Sequence, residues 1–316
     1  MTASTAAPAR LRAPRRPGDT IFSGAALVGG LVILAALAAV AVFLIAQSIP
    51  AFSAEPRQIT STGEYANFWA YVVPLAFGTI WAALLALVFA VPFSIAIALF
   101  TSHYAPRRIA RGLGSAVDLL AAVPSVVYGA WGIYVFAPFV RPFYVFLNDA
   151  LGWIPLFSGN VSASGRTILT VAMVLAVMII PIVTALSREI FLQTPRLNEE
   201  AALALGATRW EMIQMAVLPF GKAGVVSAIM LGLGRALGET LAVAMILSPS
   251  VIVGFFLLRT ENPTTVAANI ALQFPESYGV TLNVLIATGL ILFVITFAVN
   301  AASRAIVGRR GGGKGV

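Results

Sequence analysis

The sequence has no cysteine and only one histidine, His103. The first absence excludes disulfides and thiolate metal sites, and the second leaves too little for a histidine metal centre. Charge is scarce as well. Asp, Glu, Lys and Arg make up 10% of the 316 residues, against about 25% in a soluble domain. Lys222 and Lys314 are the only lysines, so arginine supplies nearly all of the net charge of +8. That excess does not point to nucleic acid, because no basic face interleaved with aromatics occurs. A G-x-x-x-x-G-K-[ST] phosphate loop is also missing. Gly221-Lys222-Ala223 lacks the hydroxyl residue for magnesium and the upstream glycine. ATP hydrolysis by that route is therefore not expected on this chain, nor is any cofactor or metal.

Apolar residues are abundant instead. They form 59% of the chain, and the mean hydropathy is +0.94. No single aqueous core hides that much apolar surface, so lipid must be the main solvent. A bilayer core needs about 20 apolar residues per helix. Residues 22–46, 72–100, 117–139, 167–191, 225–247 and 280–306 meet this. The expected fold is an all-α polytopic membrane bundle of six transmembrane helices. Residues 1–20 read as a disordered basic tail, 21–70 as the first transmembrane helix plus a loop, 71–306 as a five-helix core, and 307–316 as a flexible tail. The first span follows Arg10, Arg12, Arg15 and Arg16, as a signal peptide would, but its apolar run is too long for one.

The arginines orient the bundle. One set of segments holds those four, then Arg107, Arg108 and Arg111, then Arg188, Arg196, Arg209 and Lys222, then Arg304, Arg309, Arg310 and Lys314. The alternate segments hold only Arg57, Arg141, Arg166 and Arg259. Basic residues favour the cytoplasmic side, so both termini are expected there.

Residues 193–224 form the longest cytoplasmic loop. Asn198 is placed to cap a helix, with Glu199 and Glu200 in its first turn. Gly206 supplies a C-terminal cap. Thr208 and Glu211 have the spacing of a capping box for a second helix, which Pro219 would end. Two short amphipathic helices would then lie outside the membrane. A lipid surface is one place for them, but Glu189, Glu199, Glu200 and Glu211 would be repelled by anionic headgroups. A protein partner fits better.

Two charges fall inside the fifth span, Arg235 and Glu239. Each costs about 2.5–3.5 kcal/mol at a helix centre. Four apart on one helix, they would share a face and could pair. One reading is an ion pair that only fixes packing. The other is a polar face on a translocation path, where the guanidinium fork suits an oxyanion. Gly232, Gly234, Ala236 and Gly238 allow close approach of a helix or ligand. Asp118 is read as a carboxylate at the edge of the third span, and His103 as a solvated loop residue.

Glu200-Ala201-Ala202-Leu-Ala-Leu-Gly206, followed by Leu218-Pro219, resembles the EAA loop of bacterial ABC-importer permeases. Ala216 stands where that family usually has isoleucine. The resemblance implies an ABC type-1 importer permease whose loop docks on a cytoplasmic ATPase. Glu200, Ala201, Ala202, Gly206, Leu218 and Pro219 would be the coupling residues. Val123-Pro-Ser-Val-Val-Tyr-Gly-Ala-Trp-Gly132, Ile180-Pro-Ile-Val-Thr-Ala-Leu-Ser-Arg-Glu189, Gly234 through Met245 and Thr265-Val-Ala-Ala-Asn-Ile-Ala271 are similar to phosphate-importer permeases. They resemble the PstC class more than the PstA class or the sulfate and molybdate permeases. This implies a multi-pass bacterial plasma-membrane subunit paired with a PstA-like permease. It also implies two ATPase subunits, an external phosphate-binding protein, and Arg235 and Glu239 on the substrate pathway. The loops at 140–166 and 249–279 are long enough to dock the binding protein, with Trp153, Phe157 and Phe255 as contacts or interfacial anchors. A short helix is expected near Thr264. A permease for another oxyanion, a secondary transporter and a membrane scaffold are the competing classes.

Overall fold

Away from water, every backbone N–H and C=O must find a partner within the protein, so long apolar segments become helices. The structure, a computed structural model, describes residues 17–60 and 63–311. Six helical stretches among the described residues are long and apolar enough to cross a membrane: Ile21–Phe52, Phe68–Tyr104, Ser125–Leu151, Ile168–Leu192, Arg209–Leu237 and Gly279–Ala305. The all-α bundle is as expected, apart from one two-residue strand pair. The basic tail residues Arg10, Arg12, Arg15 and Arg16 lie outside the described residues, as does Lys314.

The chain divides into two units, Met1–Gln47 and Ser48–Val316. Most of helix α1 (Pro17–Phe52) belongs to the first. The second holds the short α2 (Pro56–Ile59) and everything after it. At its centre α3 (Phe68–Leu99) packs on α7 (Ile168–Leu192). Ala82, Ala83, Ala86 and Ala90 meet Val171, Val174, Leu175, Met178 and Ile179 in one buried cluster. Lipid tails are as apolar as leucine, so close backbone approach through small residues drives such contacts. Helix α10 (Leu218–Leu237) reaches α7 in the same way. A Cβ on Gly232 would stand 2.7 Å from Ile179, and one on Gly224 would stand 2.8 Å from Ile190.

The third span departs from the expected 117–139. Helix α4 (Arg107–Ala121) is strongly amphipathic and stops before Pro124. The span proper consists of α5 (Ser125–Trp131), a π-turn over Gly132–Phe136, and α6 (Ala137–Leu151). Pro124 bars the α conformation at Val123. Asp118 therefore belongs to α4 and not to the span's edge, while Arg141 lies within a helix.

The fifth span also differs from the expected 225–247. It ends at Leu237, and the chain breaks over Gly238-Glu239-Thr240 before α11 (Leu241–Ile246). At its other end Pro219 does not stop the helix. α9 (Arg209–Met212) runs through a π-turn, Ile213–Val217, directly into α10. The Leu218 N–H bonds back five residues to Ile213. That widened turn puts Pro219 at the start of a fresh α segment, where its missing N–H is tolerated.

At the end of the bundle opposite Glu200, the two long loops form one layer. Backbone bonds join Ser162 to Leu258 and Leu257 to Leu156. Arg259 donates to the Ser158 carbonyl and lies over the Phe256 ring. Arg166 donates to the carbonyls of Ile246 and Met245, closing the C-terminus of α11. Trp153 is exposed, Phe157 packs on the core, and Phe255 meets Phe77 and Trp81 edge-on. The expected short helix is α12 (Val266–Gln273), capped by Thr265 and sunk against α3. The Thr79 hydroxyl accepts from the Val266 N–H, and Asn269 donates to the Tyr71 hydroxyl. A Cβ on Gly78 would overlap the Thr264 carbonyl oxygen. We expect Gly78→Val to cost roughly 1–3 kcal/mol by overpacking and to lower the thermal transition of the detergent-solubilised protein. Gly112→Ala, where a Cβ meets nothing within 4 Å, serves as the neutral control. Equal transitions in the two variants would remove the significance of the contact.

The last helix, α13 (Gly279–Gly311), takes in the first half of the segment expected to be a tail. Residues 312–316 lie outside the described residues.

Candidate functional site: a coupling elbow and an arginine-lined cavity

The loop around Glu200 folds as an elbow. Its first arm is α8 (Arg196–Ala204), with Pro195 at the N-cap. Asn198, the expected cap, sits inside the first turn, and the cap position falls three residues earlier, on Pro195. Pro195 pre-sets the chain for helix entry, and no side-chain cap bond forms there. The C-terminus closes through Ala207 N–H to Ala202 and Gly206 N–H to Leu203. Gly206 takes φ +85°, the left-handed conformation this closure needs and glycine adopts freely. The capping box is present. Thr208 accepts from the Glu211 N–H, and Glu211 accepts from the Thr208 N–H at 2.7 Å.

The residues expected to couple separate into two groups. Glu200, Ala201, Gly206 and Pro219 face outward. Ala202 and Leu218 pack on a buried cluster that includes Leu99, Phe191, Met212 and Ile213. No residue of α8 is buried, and Leu197, Leu205 and Trp210 are exposed, Leu205 to 90%. Such an exposed apolar patch on a structured elbow marks an interaction surface. The π-turn that ends α3, Phe100–Tyr104, supplies a contact that the sequence does not announce. His103 Nε2 lies 3.5 Å from Glu199 Oε1, and its Nδ1 lies 2.7 Å from the Ser102 hydroxyl. His103 is thus a half-buried strut between α3 and α8 and not a solvated loop residue. Sequence separation hid this contact.

The pairing of Arg235 with Glu239 does not occur. Their i, i+4 relation requires a continuous helix, and α10 ends between them. Glu239 is 8% exposed, and its carboxylate accepts from the Ala242 N–H at the start of α11. It serves as a cap across the helix break. Arg235 turns elsewhere. Among the described residues it forms no ion pair or hydrogen bond, and its Nε is buried without a partner. It lines a cavity of about 610 Å³ between α7, α10 and α13. Ile182, Ser227, Met230, Leu231, Gly234, Asn300, Ser303 and Arg304 complete the wall, and none of these is acidic. Gly234 leaves open space beside the guanidinium. Asn300, Ser303 and Arg304 escape a reading of hydropathy because they stand where the last span meets the expected tail. Their i, i+3, i+4 spacing on one helix face is the signal that marks them. An unpaired guanidinium in a cavity without carboxylates is suited to hold an oxyanion.

Comparison with known proteins agrees with this architecture. The binding-protein-dependent transport system inner membrane component family matches residues 90–311. The phosphate transport system permease protein PstC 2 of Mycobacterium tuberculosis is 47% identical, over 93% of each chain. The phosphate transport system permease protein PstC of Xylella fastidiosa is 41% identical over 75% of this chain and 74% of its own. That of Haemophilus influenzae is 35% identical over 92% and 93%. Among solved structures, a bacterial ABC transporter that imports alginate shares the fold. Its TM-score is 0.54 at 16% identity, over 79% of this chain and 87% of that one.

Proposed function

Because this chain belongs to the family of binding-protein-dependent transport system inner membrane components, we propose that it is the permease subunit of a phosphate ABC importer. The observation that carries this is 47% identity to a phosphate transport permease over 93% of both chains. The unpaired Arg235 supports it independently, since the phosphate ion is an oxyanion.

In this reading the protein spans the bacterial plasma membrane several times, with both termini in the cytoplasm. A PstA-like permease completes the pathway. Two cytoplasmic ATPase subunits carry ATP and magnesium, and an external binding protein delivers phosphate. The elbow at Glu200–Gly206 lies in a groove of one ATPase. When the ATPases close on ATP, the elbow moves with them and the helices open outward. Phosphate leaves the binding protein and passes Arg235, whose fork replaces part of its hydration shell. Hydrolysis returns the pathway to its inward-open form. Glu239 holds the break between α10 and α11 and keeps Arg235 at the end of its helix.

The test is binding-protein-stimulated ATP hydrolysis by the reconstituted complex. Inorganic phosphate is expected to stimulate it, while sulfate and molybdate leave the basal rate unchanged. Equal stimulation by sulfate would make this a permease for another oxyanion.

A further inference from the structure

The cavity contains a second guanidinium. Arg304 stands with Asn300 and Ser303 on one face of α13, across from Arg235 on α10. Among the described residues Arg304 has no ion pair, and no acidic side chain lines the wall between the two arginines. Two unpaired cations sharing one cavity repel each other. An anion between them would turn that repulsion into attraction.

The helices order the wall. α10 and α13 run antiparallel, so Arg235 and Gly234 lie toward Asn300, while Ser227 lies toward Arg304. From Asn300 to Arg304 the α13 wall descends about 6 Å at 1.5 Å per residue. Arg304 therefore stands about one helical turn beyond the level of Arg235, as a second hold in the same cavity.

We propose that Arg304, with Asn300 and Ser303, forms a second oxyanion station on the cytoplasmic side of Arg235, from which phosphate leaves the protein. The station rests on the importer reading and extends it. The guanidinium takes two phosphate oxygens, the Asn300 amide donates to another, and the Ser303 hydroxyl adapts as donor or acceptor. A second hold keeps phosphate from falling back to Arg235 while the pathway closes behind it. A phospholipid headgroup offers the same phosphate chemistry, so the test must separate the two sources.

The chain has no cysteine, so Ser227→Cys gives it a single thiol in an exposed part of the cavity wall. The assembled complex is reconstituted in phosphatidylcholine vesicles and labelled with an anionic or a neutral thiol reagent of similar size. Focusing by the cavity charge should favour the anionic reagent about tenfold. Adding Arg304→Gln should remove most of that preference, and inorganic phosphate should slow the anionic reaction in the parent. Preference that survives Arg304→Gln overturns the station. So does protection by added phosphatidylglycerol with none by inorganic phosphate, which would assign the site to lipid. A second measurement stands apart from labelling. Arg304→Gln should lower maximal phosphate uptake about tenfold with half-saturation by loaded binding protein unchanged, and Arg304→Lys, which keeps the charge without the fork, should fall between the two. Unchanged uptake in Arg304→Gln would overturn the station. The ATPase stimulation assay reads the importer assignment in the unaltered chain, so it can succeed where the station fails.

Discussion

Arg235→Gln is expected to leave the complex assembled but to lower phosphate uptake by about two orders of magnitude. The fold does not depend on the charge. Arg235 has no ion pair among the described residues and its Nε bonds to nothing, so glutamine strands no partner. Removing a cation from a membrane helix even relieves an insertion cost of about 2.5–3.5 kcal/mol. Transport loses more. A hydrogen bond to a charged group is worth roughly 1.5–3 kcal/mol, and each 1.4 kcal/mol is a factor of about ten. Losing a bidentate fork therefore reaches about a hundredfold. Arg235→Lys keeps the charge without the fork and should fall between the two. The measurement is uptake of labelled phosphate in a strain whose only phosphate importer contains this subunit, with assembly checked by co-purification. Normal uptake by the glutamine variant would falsify the pathway assignment.

Glu200→Arg is expected to abolish the proposed docking of ATPase subunits on the elbow. Glu200 is exposed on a helix without buried residues, so the reversal leaves α8 intact. The neighbouring Glu199, which meets His103, is untouched. At an interface, however, a misplaced buried charge costs roughly 2–5 kcal/mol. The ATPase subunits should no longer co-purify, and uptake should fall at least as far as in Arg235→Gln. The variant chain should still reach the membrane in normal amount. Retained ATPase and retained transport together would remove the elbow from the docking surface.

Much of this architecture is legible in the sequence because lipid imposes a simple rule. Runs of about 20 apolar residues become helices, and all six appear. The elbow is legible for a different reason. Its signals are local, namely a glycine needing positive φ and a Thr–Glu capping box, and short-range geometry decides both. The errors arise where apolarity and helicity part company. Leu119 through Val123 is apolar and read as span, yet Pro124 divides the helix there. Gly238-Glu239-Thr240 looks like a charge on a continuous helix, and the break within it undoes the pairing with Arg235. Pro219 looks like a stop, but a π-turn takes the strain. His103 meets Glu199 on α8, a contact that no local pattern announces, and only the folded bundle brings Arg304 into the same cavity as Arg235.

The π-turn at Ile213–Val217 has one more consequence. α9 and α10 form an unbroken rod from the elbow to Leu237, with Arg235 near its far tip. An α-helix turns 100° at each residue, whereas a π-turn spends one extra residue on its loop. Everything above is therefore out of phase, by about that angle, with a purely α-helical rod. Arg235 sits about five turns higher, and its compass bearing is fixed by that single unwound step. The direction in which the cation points is thus set beside the elbow, at the opposite end of the rod.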